Sequence, residues 1–169
     1  RSDLLDLIDF LIFLKDYFHL NQRAPDSYTT AISRDNTSNM IFFYALQLDT
    51  QAIFACAQGH LTKKYQKNGR GPNYFDSVGL VLDCFKQAGK SLPSTAAAIC
   101  QQGTPIKDAD AVPGDLICLD ILLTGNVNHV GIYSQPGMAI YVIDSTGQEV
   151  TEHPIPEDLD VYKGTRHFD

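Results

Sequence analysis

Three absences limit what this sequence can encode. The 169 residues carry a formal net charge of −7, which argues against a nucleic-acid-binding protein because such proteins usually present a basic face. The apolar run Ile8–Leu14 is interrupted by Asp9 and is too short to cross a bilayer. No C-x-x-C pair or other metal-ligand spacing occurs, so the sequence predicts neither a metal site nor a cofactor.

The cysteines are few and scattered. Four are present, each among mostly apolar residues: Cys56, Cys84, Cys100 and Cys118. Because spatial proximity cannot be read from a sequence, we expect four reduced, mostly buried thiols. Cys84 follows an aspartate in the middle of a predicted helix, and this position favours a core thiol over a nucleophile.

The rest of the composition is that of a folded protein. The hydrophobic content of 44% is sufficient for a core, and the length fits one domain with an extension. Residues 3–20 have the spacing of an amphipathic helix, whose apolar face would dock on the main domain or bind a partner protein. With the polar linker that follows, we expect a helical extension over 1–46 and a main domain over 47–169. No signal peptide is visible, and the start at Arg1 indicates a piece of a longer chain.

Turn residues and hydrophobic spacing predict helices followed by strands in the main domain. Asp76 is suited to an N-cap, and the helix that follows it is expected to stop at Gly89. The predicted helices cover 40–58, 79–88 and 94–101, and the predicted strands cover 115–120, 127–133, 139–144 and 149–153. Helices first and a meander of strands afterwards predict an α+β fold with an antiparallel sheet.

Three polar residues of the main domain form a candidate catalytic set. Ser77 opens a predicted helix, where a side chain meets the positive end of the helix dipole and free backbone N–H groups. His129 lies on a predicted strand and has the chemistry of a general base. If Tyr133 pairs with Ile140 across the turn, the histidine pairs with Asp144. That aspartate would then lie on the same face of the sheet and orient the imidazole.

Several short motifs occur in a fixed order along the chain. They are a tyrosine at Tyr65, Gly-Pro-x-x-Phe-Asp-Ser-Val-Gly-Leu-Val at 71–81, Lys-Gln-Ala-Gly at 86–89, Pro-Gly-Asp-Leu at 113–116 and His-Val-Gly-Ile-Tyr at 129–133. Together they resemble the signatures of the NlpC-type cell-wall peptidase family. Each motif alone is weakly specific, whereas the ordered set is strong. The resemblance covers about residues 48–152 and leaves residues 1–46 unexplained.

The resemblance implies a papain-like α+β fold and a cysteine endopeptidase or amidase that cuts peptidoglycan stem peptides. In such an enzyme position 77 holds the nucleophilic cysteine, His129 is the base and a polar residue at 144 orients it. Tyr141 is a rival for the orienting position, since it stands at the commoner family spacing. Tyr65 matches a family tyrosine that binds the substrate or polarises its carbonyl. The resemblance also implies an extracytoplasmic or secreted protein without a cofactor, acting in wall remodelling or as an antibacterial toxin.

The chain departs from the family pattern at the nucleophile. Ser77 stands where a cysteine is expected, Val78 where serine is common, and Asp144 where histidine is common. A helix start does not ionise a hydroxyl as it does a thiol, so we expect this form to be inactive. Ser77 has three explanations: a cysteine replaced by experiment, a natural degenerate nucleophile, or a working serine. The alternative functions are a catalytically dead module that binds muropeptides or a protein, and a thiol transacylase or deamidase.

A basic loop over 63–70 precedes the nucleophile. It is either a solvated loop or a site where Lys64, Lys67 or Arg70 meets a substrate carboxylate. Four other histidines have no supporting pattern, and we expect them at the surface: His19, His60, His153 and His167.

Overall fold

A computed structural model describes residues 49–143 and 148–168 of the chain. The chain divides into two units, Arg1–Met40 and Ile41–Asp169, and every described residue belongs to the second. The helix predicted near the N-terminus, its proposed partner and the expected domain boundary at residue 46 lie outside the described residues. Among the helices that are described, none is long and apolar enough to cross a membrane.

Three α-helices are described, and local capping explains two of them. Helix α1 covers residues 49–59, α2 is Ser77–Gln87 and α3 is Ala96–Gln102. Asp76 caps α2 by accepting the Gly79 N–H, and Thr95 caps α3 by accepting the Ala98 N–H. Gly89 takes a φ of +79° just after α2, a conformation that favours glycine. Both helices therefore lie within two residues of their predicted bounds.

The strands form a six-stranded antiparallel sheet and a small parallel pair. The pair is β1 (Lys64–Tyr65) with β2 (Tyr74–Phe75), and the sheet has the order β3-β8-β4-β5-β6-β7. The sheet strands are Thr104–Ile106 (β3), Leu116–Leu119 (β4), His129–Gln135 (β5), Met138–Tyr141 (β6), Thr151–Pro154 (β7) and Tyr162–His167 (β8). The predicted α+β class with an antiparallel sheet is confirmed.

Strands β3 and β8 were not predicted. β3 has only three residues and contains Pro105, a residue that is depleted in strands. β8 contains Gly164 and mostly polar residues, so its sequence lacks the apolar alternation of a strand. Both strands are nevertheless recruited to the sheet, because β8 pairs with β4 on one side and with β3 on the other.

The main core lies between the helices and one face of the sheet. α2 and α3 both pack on β5, and α1 adds Ile53 and Ala57 to the same cluster. A smaller cluster on the other face of the sheet consists of Ile117, Leu119, Tyr133, Ala139 and Tyr141. Strand β5 is therefore covered on both faces, by the helices on one side and by the smaller cluster on the other.

The expectation of four reduced thiols is wrong. Cys56 of α1 is bonded to Cys84 of α2, and Cys100 of α3 is bonded to Cys118 of β4. Their Cα atoms are 5.4 and 6.1 Å apart, within the range that a disulfide requires. The paired residues are 28 and 18 positions apart, so tertiary packing, which the sequence does not display, brings them together.

Candidate active site

Ser77 is the first residue of α2, and its side chain is buried at 1% exposure. The Asp76 carboxylate accepts the Gly79 N–H at 2.6 Å and also binds the Arg70 guanidinium. The Leu80 N–H bonds to the Asp76 carbonyl at 3.1 Å and so begins the helical ladder. The N–H groups of Ser77 and its neighbour precede this ladder, at the positive end of the helix.

Gly79 allows the basic loop to pack directly on the first turn of α2. A Cβ atom at this position would lie 1.8 Å from the Gly69 carbonyl oxygen, a separation that no side chain can tolerate. The same carbonyl accepts the Asp76 N–H at 3.2 Å. Gly79 therefore marks the close approach of this loop to the helix.

His129 is the first residue of β5 and is 3% exposed. It pairs with Leu119 of β4 in the antiparallel register. α2 packs on β5, so the helix that begins at Ser77 and the strand that begins at His129 are neighbours. Within β5, Val130 and Ile132 belong to the core shared with α2, whereas His129 and Gly131 alternate to the opposite face.

The loop before His129 is organised by Asp120, a residue that the sequence did not single out. Its buried carboxylate accepts the backbone N–H groups of Thr124 (3.0 Å) and Gly125 (2.6 Å), the Thr124 hydroxyl and the Asn128 side-chain amide. Burial by itself raises the pKa of Asp120, but these donors outweigh it, so its net pKa is lowered. Asn128 also donates its N–H to the Leu119 carbonyl at 3.0 Å, which joins the loop to the start of β5.

Tyr65 lies beside the segment that leads into α2. It is opposite Phe75 in the parallel β1–β2 pair, two residues before Ser77. Its N–H donates to the Gln148 carbonyl at 2.8 Å, and this bond joins β1 to the chain beyond β6. The structure thus places Tyr65 near the backbone that carries Ser77, while its contact with a substrate stays a prediction.

Asp144 lies outside the described residues, and the register from which its role was argued differs by one residue. Gln135 pairs with Met138 at the turn, but a shift between Tyr133 and Gln135 makes Tyr133 pair with Ala139 instead of Ile140. A bulge of this kind adds a residue to one strand and is invisible in the hydrophobic pattern. The pairing predicted between His129 and Asp144 therefore loses its basis, while the role of Asp144 stays a prediction.

The observed register places Tyr141 on the His129 face of the sheet, together with Tyr133. A Cβ at Gly131 would lie 3.0 Å from Tyr141 Cδ1, and Gly131 and His129 share a face by alternation. Tyr141 is 5% exposed, and burial raises its pKa. Its ring also contacts the His153 ring at a centroid distance of 4.5 Å.

Residues 62–162 match the NlpC/P60 family. The chain belongs to this family. Among its curated relatives is a probable endopeptidase of Corynebacterium glutamicum, which is 35% identical over 105 residues, 62% of this chain and 48% of the relative. The chain therefore spans about half the length of that relative.

Solved structures of NlpC/P60 proteins share the fold. NlpC1 from Trichomonas vaginalis superposes with a TM-score of 0.63 at 25% identity, over 70% of this chain and 44% of NlpC1. RipD from Mycobacterium tuberculosis has a TM-score of 0.50 at 18% identity, over 70% of this chain and 93% of RipD. RipD is a non-catalytic NlpC/p60 domain protein with an adaptation to peptidoglycan binding.

The histidines outside the candidate set are not simple surface residues in this NlpC/P60 domain. His60 Nε2 is 2.8 Å from Asp83 Oδ2, and His167 Nδ1 is 2.6 Å from Asp115 Oδ1. His153 is partly buried against Tyr141, and burial lowers its pKa. These three histidines are half-buried and paired, not the freely solvated residues that the sequence suggested, and His19 lies outside the described residues.

Two of the three candidate cations in the basic loop form ion pairs in the described part of the chain, and the third does not. Lys64 pairs with Glu149, and Arg70 pairs with the capping carboxylate of Asp76. Lys67 is exposed and makes no ion pair with any residue that the structure describes. Of the three cations, Lys67 is therefore the one without an ion pair in the described part of the chain.

Proposed function

We propose that this chain is the peptidase domain of a peptidoglycan endopeptidase or amidase that cuts stem peptides, with position 77 as the nucleophile. The observation that carries the proposal is the placement of Ser77, buried at the capped start of a helix that packs on the strand beginning with His129. The curated relatives are named probable endopeptidases, in agreement with a hydrolase. In the form with Ser77, we expect substrate binding with little or no cleavage.

The proposed reaction is acyl transfer to the side chain of residue 77. A thiolate at that atom attacks the amide carbonyl, His129 gives a proton to the leaving amine, and water then releases the acyl group. The first-turn N–H groups of α2 and the Tyr65 hydroxyl stabilise the oxyanion. Asp144 orients His129, and Tyr141 is the alternative among the described residues.

Serine changes the first step of this reaction more than the others. A cysteine at a helix start has a lowered thiol pKa, so the thiolate is populated near neutral pH. A hydroxyl has no such populated anion and needs a base aligned for alcohol attack. The binding and oxyanion groups do not depend on the identity of residue 77, so the Ser77 form retains them.

No other cysteine can replace the missing thiol in the oxidised protein. The sequence has four cysteines, and both disulfides together use all of them. The two disulfides also fit an oxidising compartment, as expected of an extracytoplasmic or secreted protein.

The test is to restore the sulfur in Ser77→Cys and incubate the protein with purified sacculi. We expect soluble stem-peptide fragments from this variant, and a loss of at least about 100-fold when His129→Ala is added. Mass analysis of the variant should first show that the two disulfides are retained, so that residue 77 is the free thiol.

A second candidate is a binding module that recognises muropeptides without cleaving them. Two observations favour it: no thiol is available in the oxidised chain, and RipD shows that an NlpC/P60 fold can serve peptidoglycan binding without catalysis. Ser77→Cys separates the two functions, because an inert thiol variant that still cosediments with sacculi supports the binding module.

A further inference from the structure

One side-chain cluster outside the candidate active site combines metal-binding groups. Cys56, Cys84 and His60 each offer a ligand atom, and these atoms lie within 4.8 Å of one another. We propose that these three residues form a Zn²⁺ site of the reduced protein, which replaces the Cys56–Cys84 disulfide when that bond is opened.

The local sequence explains why the three ligands meet. Cys56 and His60 are four positions apart at the end of α1, so they lie on the same side of the chain. Cys84 belongs to α2 and is bonded to Cys56, which places the second sulfur against this pair. Zn²⁺ prefers thiolate and imidazole ligands at about 2.0–2.3 Å, and tetrahedral geometry then separates neighbouring ligands by about 3.5 Å.

His60 is oriented as a metal-binding histidine usually is. Its Nε2 is 2.8 Å from the Asp83 carboxylate, an acceptor, so Nε2 donates, and the neutral imidazole then has its lone pair on Nδ1. Nδ1 is buried and has no hydrogen-bond partner among the described residues. A carboxylate that holds the other ring nitrogen is the usual outer contact of a zinc-bound histidine. The His60 ring also packs on Phe75 at 4.5 Å, which restricts its rotation.

The rim of the cluster reaches solvent, while His60 Nδ1 and Cys84 are buried. The side chains of His60 and Asp83, which form this rim, are 15% and 25% exposed. A water molecule can complete a Cys₂His set, as it does in sites with three protein ligands.

A phosphine can supply the two electrons that open the Cys56–Cys84 disulfide. A trialkylphosphine and one water convert the disulfide into two thiols and leave the phosphine oxide. Zn²⁺ then binds both sulfurs, each thiol loses its proton to solvent, and neutral His60 binds through its lone pair. In either state the link between α1 and α2 is kept, by an S–S bond when oxidised and by the metal when reduced.

Two matched double variants isolate the site. Cys100→Ser/Cys118→Ser retains only Cys56 and Cys84, while Cys56→Ser/Cys84→Ser retains only the other pair. After phosphine reduction both carry two thiols, and each is titrated with Co²⁺ as a spectroscopic substitute for Zn²⁺. We expect one equivalent of Co²⁺ and a thiolate-to-metal charge-transfer band in the first variant and neither in the second.

The histidine and its carboxylate give the finer test. In the first background, His60→Ala and Asp83→Asn should each weaken Co²⁺ binding at least about tenfold. Equal bands and affinities in the two double variants, or an affinity unchanged by His60→Ala, would show non-specific binding to thiols and overturn the proposal.

The zinc site can also be tested in the protein that keeps all four cysteines, so the result does not depend on the folding of a double variant. Fully reduced protein with all four cysteines can be melted with and without Zn²⁺, beside reduced Cys56→Ser/Cys84→Ser. The proposal requires that Zn²⁺ raise the melting temperature of the former and not of the latter. Absence of that rise in the four-cysteine protein contradicts the site. None of these readouts depends on peptidase activity.

Discussion

At the scale of single residues, the cations before the nucleophile differ in what they can do. Lys67 lies in the loop whose Gly69 carbonyl touches the first turn of α2, and it is exposed without an ion pair in the described part of the chain. Muropeptide stems carry carboxylates. In the Ser77→Cys background, Lys67→Gln should raise KM about twofold to fivefold with kcat unchanged, as an exposed charge pair warrants.

Lys107→Gln is the matched control for this prediction, since Lys107 is also exposed and precedes a 3₁₀ turn away from the loop. Its KM should not change. An equal rise in KM for both variants would indicate a general charge effect, and no rise for Lys67→Gln would reject the contact.

Replacing Gly79 by alanine tests the packing of the loop, because the predicted change in the free energy of unfolding is opposite in sign to that of an ordinary helical glycine. Glycine in a helix usually costs about 0.5–1 kcal/mol relative to alanine, so Gly→Ala normally stabilises. At Gly79 the new Cβ would meet the Gly69 carbonyl at 1.8 Å, so we expect Gly79→Ala to destabilise by about 1–3 kcal/mol in urea unfolding.

Gly59→Ala is the control, because a Cβ at Gly59 meets nothing within 4 Å and the residue is helical. It should be neutral or stabilising. If Gly79→Ala is also stabilising, the loop does not pack on α2 as described.

Single residues of the candidate site were predictable where a local motif specifies them. Ser77, His129 and Tyr65 stand in motifs that resemble the family's, and the cap at Asp76 follows from its residue type. Asp120 was missed because its role depends on donors that follow it in a folded loop. The pairing of Cys56 with Cys84 was missed because it needs two helices to meet.

At the scale of elements, the loop between β4 and β5 should control both stability and the position of His129. The lowered pKa of Asp120 means that its carboxylate is stabilised on folding. That contribution is present above its unfolded pKa, about 3.9, and is lost as the pH falls through the lower folded value. Asp120→Asn should therefore lower the melting temperature at neutral pH, with a difference that shrinks below about pH 4.

The same variant has a catalytic consequence. Because Asp120 binds the side chain that precedes His129, Asp120→Asn in the Ser77→Cys background should lower kcat more than it raises KM. Asp110→Asn is the matched control, since this exposed aspartate makes no side-chain hydrogen bond to any residue that the structure describes. A pH-independent stability difference would contradict the role assigned to the carboxylate.

Helices were predicted well where a capping residue marks their start, and strands where apolar residues alternate between turns. Helices α2 and α3 and strands β4 to β7 were predicted, whereas β3 and β8 are short or polar and depend on their neighbours. The β5–β6 register was predicted from the turn, and a bulge between Tyr133 and Gln135 shifts it by one. That shift changes which side chain shares a face with His129, so small irregularities limit the prediction of a site more than of a fold.

At the scale of the whole molecule, two disulfides hold the helices to each other and to the sheet. Cys100–Cys118 joins α3 to β4 and closes a loop of 18 positions. Removing it in Cys100→Ser/Cys118→Ser should lower the free energy of unfolding by about 3 kcal/mol, because the unfolded chain gains conformational freedom. Urea unfolding under non-reducing conditions measures this, and an unchanged midpoint would contradict a formed bond.

The central claim is that position 77 of this NlpC/P60 domain is the place of a nucleophile. The most direct measurement is mass spectrometry of the soluble peptides released from purified sacculi by four proteins: the Ser77 form, Ser77→Cys, Ser77→Cys/His129→Ala and His129→Ala. We predict that cleaved stem peptides appear only with Ser77→Cys, and that the Ser77 form still binds the sacculi. Ser77→Cys that retains its fold and binds sacculi but releases no peptide, or releases it equally without His129, would contradict the account.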